Sequence, residues 1–147
     1  MKTYAFCPIS DKRIDERVVR INATLTFAFT LLFVFTGSTW LLAILAVDFL
    51  LRSTQFSKYS FIGYMSRQIA KFLSTKMNFI NAGPKIFAAR VGLVFSILII
   101  ISSFLGFELL ALGIALVLGI FSFLESAFGF CVACKIYPFI YKILYRE

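Results

Sequence analysis

The sequence predicts an all-α integral membrane protein, a four-helix bundle of two transmembrane hairpins flanked by amphipathic interfacial helices. Three observations carry this. Of the 147 residues 61% are hydrophobic and only 15% charged, and the mean hydropathy is +0.92, a balance that a soluble domain of this size would not tolerate. The apolar residues gather into runs near the ~20 residues that cross a bilayer. The 15 cations avoid the short breaks within each pair of runs.

The elements follow in order along a single membrane domain, 1–147. Residues 1–17 form a polar leader, and with no small-residue cleavage site after the run that follows it, a removable signal peptide is not expected. The first span is 18–37, with Arg20 and Asn22 at its entrance. Gly37-Ser38-Thr39 is a tight polar break, and Trp40 suits a membrane–water interface. The second span, 39–52, is short. It contains Asp48, four residues before Arg52, so a helix sets the two charges on one face.

Residues 53–85 are the least apolar stretch, with five cations and no acidic residue. Within them Phe61, Met65, Ile69, Phe72 and Leu73 recur at helical spacing, while Arg67, Lys71 and Ser74 fall on another face. That predicts a basic amphipathic helix on a membrane surface. Asn81-Ala82-Gly83-Pro84 reads as a turn with Pro84 opening the third span, 86–105. A second short turn leads to the fourth span, 107–128. The tail, 129–147, holds Cys131 and Cys134, and Pro138 is expected to start an interfacial helix.

Orientation comes from charge. Five cations lie in residues 1–20, seven between Arg52 and Arg90, and three after residue 134, whereas the turns around Gly37 and Gly106 have none. The positive-inside rule then puts both termini and the middle segment on the cytoplasmic side. The net charge of +8 is spread over membrane-flanking segments, which suits anionic headgroups and argues against nucleic acid.

Chemistry is narrowed by the absence of histidine, which excludes Ser-His-Asp triads, HExxH sites and His-ligated haem. The reactive candidates are Cys7, Cys131 and Cys134. Cys131-Val132-Ala133-Cys134 is a CxxC, in which one thiolate can attack a substrate sulfur and the other resolve the mixed disulfide. Buried packing is the competing account of such a pair. Lys135, next in sequence, would favour a thiolate. If the leader folds back, Cys7 would complete a three-thiolate cluster suited to a soft metal ion such as Cu(I), or to a transferred sulfur. Intramembrane charge adds Asp48, bridged to Arg52 or serving as a proton relay, and Glu125, paired with Arg90 or serving as a relay beneath the cysteines.

Several separated elements together resemble the bacterial membrane-protein family known as domain of unknown function 4395. They are Cys7-Pro8, Ile14-Asp15-Glu16 with Arg20, Asp48-Phe49 with Arg52, Gly83-Pro84-Lys85 with Phe87-Ala88, and Glu125 with Gly129-Phe130-Cys131 and Cys134. The resemblance covers nearly the whole chain. It implies a compact integral membrane protein and, through thioredoxin-like or sulfurtransferase partners, thiol or sulfur chemistry. Three functional classes follow: a thiol/disulfide or sulfur-handling protein, with Lys85, Arg90 and Lys135 stabilising thiolates; a transporter or binder of a thiophilic metal ion or sulfur anion; and a structural partner in an assembly. No cofactor is demanded by the residues.

Overall fold

The computed structural model describes residues 13–144, apart from 55, 74 and 75. Strand β1 (Arg13–Asp15) leads into helix α1 (Glu16–Thr36), followed by α2 (Thr39–Ser53), a short 3-10 turn (Ser57–Tyr59), α3 (Phe61–Phe72), β2 (Phe79–Asn81), α4 (Gly83–Phe104), α5 (Glu108–Phe128) and α6 (Val132–Leu144). The protein is all-α except for one antiparallel ribbon, in which Arg13 faces Asn81 and Asp15 faces Phe79. No alternating pattern announces strands of three residues. The ribbon ties the start of α1 to the start of α4.

Local chemistry sets the helix ends. Asp15 caps α1 by accepting a hydrogen bond from the Arg17 N–H at 3.0 Å, which starts the helix two residues earlier than the apolar run does. Asn81 accepts from the Gly83 N–H at 3.0 Å, so α4 begins at Gly83 with Pro84 in its first turn. Gly37 and Gly129 stop α1 and α5 in the left-handed region, at φ 66° and 65°, which glycine adopts without a Cβ penalty.

Helix α1 packs on α5, α3 and α2, and α4 packs on α2, α5 and α6. Phe33, Leu42, Leu45, Ile99, Ala111, Ala115 and Leu118 form the core between them. Large side chains such as Phe35, Leu98, Leu109 and Ile120 face outward, the reverse of a water-soluble bundle. Helices α1, α4 and α5 are long and apolar enough to cross a membrane. Together they make this a multi-pass membrane protein. Helix α2 has 15 residues, about 22 Å of rise against ~30 Å of hydrocarbon.

One sequence expectation needs correction. Pro138 does not start the tail helix but lies inside α6. Its ring removes the hydrogen bond that would reach the Cys134 carbonyl, and the site tolerates it because the residue is exposed. On α3 Ile62, Gly63, Ser66 and Ala70 are buried, and α1 packs on this helix. The aromatic face with Phe61, Met65 and Phe72 stays exposed.

Candidate functional site

Helices α1 and α4 begin, and α2 and α5 end, at one end of the bundle, which gathers most of the charge. Glu125 on α5 is ion-paired to Lys85 on α4, with Oε1 to Nζ at 2.5 Å. The sequence had offered Arg90 as its partner. Arg90 lies five residues further along α4, whereas Lys85 is level with the end of α5. Asp48 is buried and bridges Arg52 with Nε to Oδ2 at 2.9 Å, as the i,i+4 spacing allows. Its other oxygen accepts from the Ser60 hydroxyl at 2.5 Å and the Ile62 N–H at 3.0 Å. One carboxylate thus fixes the end of α2 to the start of α3. The Arg52 guanidinium lies over the Phe49 ring, 4.7 Å from its centre.

The link between α5 and α6 folds the CxxC back toward these charges. Gly129 makes the turn, and a Cβ there would lie 2.7 Å from Arg20 Nη2. Arg20, bound to Glu16 at 2.9 Å, therefore rests against the link. Cys131 directly precedes α6, and its sulfur accepts from the Cys134 N–H at 3.4 Å. This is the position of a side-chain N-cap, where the backbone N–H groups and the helix dipole favour an anion. Cys131 is buried, at 8% exposure, and Cys134 is half-buried.

The two thiols are thereby made unequal. Cys131 is held below the ordinary thiol range. The hydrogen bond with the Cys134 side chain is the largest cause; burial and the Glu125 carboxylate oppose it, and the Lys85 ammonium adds to it. Cys134 is pushed far above that range by the same hydrogen bond, by burial and by the charge on Cys131. The cation acting on both sulfurs is Lys85, not Lys135 as adjacency in sequence suggested. Consecutive helical residues point about 100° apart, and Lys135 is exposed with its ammonium 5.8 Å from the Phe130 ring centre.

A cavity of about 790 Å³ opens at this end, walled by Arg13, Arg17, Arg52, Arg67, Lys71, Lys85, Asp15, Glu125 and Cys131 among others. Its wall also takes in Thr26, Phe95 and Leu118, of which Leu118 belongs to the packed core and Phe95 packs against it. The sequence put Arg67 and Lys71 on the polar face of a surface helix, in a stretch from 53 to 85 without acidic residues, and nothing in it placed Arg13 or Arg17 at a cavity wall.

Cys7 lies outside the described residues, so its convergence with the CxxC is not on view. Among the described residues no three of His, Cys, Asp and Glu form a metal-holding group. Of the three sulfurs that a soft metal ion would need, Cys131 and Cys134 lie among those residues.

A multi-pass helical membrane protein with Cys131 at the wall of a basic cavity is the class that fold and site define. The chain belongs to the family described as domain of unknown function (DUF4395), whose model matches residues 14–142. No curated protein and no solved structure matches it.

Proposed function

We propose that this is a four-span thiol protein of the bacterial inner membrane, with both termini cytoplasmic, in which Cys131 and Cys134 exchange disulfides or carry sulfur at the cytoplasmic face. The observation that carries the reading is the position of Cys131. Its sulfur takes the cap of α6, accepts the Cys134 N–H and borders the cavity. In this role Cys131 is the nucleophile and Cys134 the protonated, resolving thiol. Buried cysteines kept for packing have no such asymmetry.

The charges divide by location. Lys85 stabilises the Cys131 thiolate, and Glu125, bound to Lys85, tunes that effect and can take up a proton. Asp48 and Arg52 hold the cavity wall in shape. α2 crosses as the short second span, and the middle segment and α6 lie at the interface with their exposed cations on anionic lipid. The packed core beneath the cavity favours chemistry at one face over a conducting path, and a thioredoxin-like or sulfurtransferase partner would dock at that face.

The test is site-resolved alkylation of the folded, reduced protein in detergent, read by peptide mass spectrometry. Cys131 should react faster than Cys134, and Cys134→Ala should slow Cys131 at neutral pH. Equal slow reaction of both, released only on unfolding, would return them to packing.

A further inference from the structure

The cavity beside Cys131 has a composition that the thiol reading does not require. Six cations contribute to its wall, against Asp15 and Glu125. Asp15 is bound by Arg17 at 2.7 Å and Glu125 by Lys85 at 2.5 Å, which leaves the balance strongly positive. Arg13 and Lys71 are exposed and give the mouth an aqueous, cationic rim. Arg52 supplies charge away from that rim: among the described residues its buried Nη2 has no hydrogen-bond partner, although Nε faces Asp48. A guanidinium fixed by a carboxylate and an aromatic ring, with N–H groups to spare, is a ready anchor for a carboxylate or phosphate.

The cavity is far larger than a small inorganic anion needs. About 790 Å³ falls in the range of pockets that enclose organic molecules of several hundred daltons, roughly 300–1,000 Å³. Between the cations the wall is apolar, with Val18, Phe49, Val91 and Phe95, so it also suits an organic body. A neutral apolar oxidant drawn from the bilayer would have no use for the cations.

We propose that this cavity binds a low-molecular-weight organic disulfide bearing carboxylate or phosphate groups, with Arg52 as anion anchor and Cys131 as the attacking sulfur. The proposal rests on the thiol reading above. The Cys131 thiolate attacks one substrate sulfur, forming a mixed disulfide, and the second substrate sulfur leaves as a thiolate that takes the proton of Cys134. The Cys134 thiolate then attacks Cys131, forming the Cys131–Cys134 disulfide and expelling the remaining substrate half as a thiolate. The dithiol loses two electrons and the substrate disulfide gains them. Arg52 and Lys71 act by binding, so they govern substrate choice rather than the sulfur chemistry.

Stopped-flow oxidation of the reduced protein in nanodiscs, with oxidised glutathione as the anionic disulfide and cystamine as the cationic one, tests this. The expected preference for oxidised glutathione is on the order of tenfold or more at low salt and shrinks as salt is added. Arg52→Gln should reduce that preference several-fold. Lys71→Gln, at an exposed position, should do so in part and keeps the test open if Arg52→Gln does not fold. A wild-type preference near one, no change of preference in either variant, or faster oxidation by a short-chain quinone than by either disulfide would each overturn the substrate assignment. Failure of the thiol reading looks different: neither disulfide would oxidise the protein, and Cys131→Ser would behave as wild type.

Discussion

At the scale of single residues, Cys131 and Cys134 are neighbours with opposite tendencies. The hydrogen bond between them lowers the Cys131 thiol and raises that of Cys134. Because the reactive form is the thiolate, alkylation of Cys131 should reach half its maximal rate at a pH below that of a free cysteine. Cys134→Ala removes the largest cause and should move that midpoint upward, as a pH series of labelling rates would register. Asp15 supplies a second sign. Its carboxyl is held below the ordinary range, first by the Arg17 side chain, so the stability it contributes is present above that range and is lost as pH falls through the lowered value. Asp15→Asn should flatten the acid limb of a thermal-melting series. Asp48 is costly to remove: Asp48→Ala leaves Arg52 buried without its counter-ion and takes the acceptor from the Ser60 hydroxyl and the Ile62 N–H at the start of α3. About 3–5 kcal/mol is the usual penalty for breaking a buried pair from one side, measured as reduced resistance to denaturant in mixed micelles.

At the scale of elements, Gly92 fixes how α2 meets α4, because a Cβ there would stand 2.6 Å from the Phe49 ring. Gly92→Ala should cost about 1–3 kcal/mol through overpacking. Combination with Phe49→Leu should recover part of it, a non-additivity that a double-mutant cycle on unfolding free energies detects. These relations also mark what the sequence made legible. The apolar runs announced α1, α4 and α5, and the four-residue spacing announced Asp48 with Arg52, since both depend on chain-local geometry. The partner of Glu125 did not follow, because Lys85 is 40 residues away and only the packing of α4 on α5 brings it near. The start of α6 was misread from Pro138, whose preference for first turns is real but yields where the capping residue precedes it by seven positions. β1 and β2 were invisible: each is held by its partner strand.

At the scale of the whole molecule, the segregation of cations to one end of the bundle joins orientation to chemistry. The proposed topology predicts that reporters fused at either terminus, or inserted near residue 76, are active on the cytoplasmic side, while a reporter at Gly106 is active outside. A terminal fusion active outside would contradict it. The cavity could not be read from the sequence, because its wall draws on β1 and on all six helices, and the cations from 13, 17, 52, 67, 71 and 85 converge only in the fold. Cys131 is where the scales meet, placed by a glycine turn, polarised by a helix start and bordered by a basic cavity. The most direct measurement is disulfide mapping of the purified membrane-embedded protein before and after oxidation and re-reduction. The account predicts one reversible Cys131–Cys134 disulfide, formed without unfolding and abolished by either serine substitution. Two thiols that stay reduced under oxidant until the protein is unfolded would contradict it.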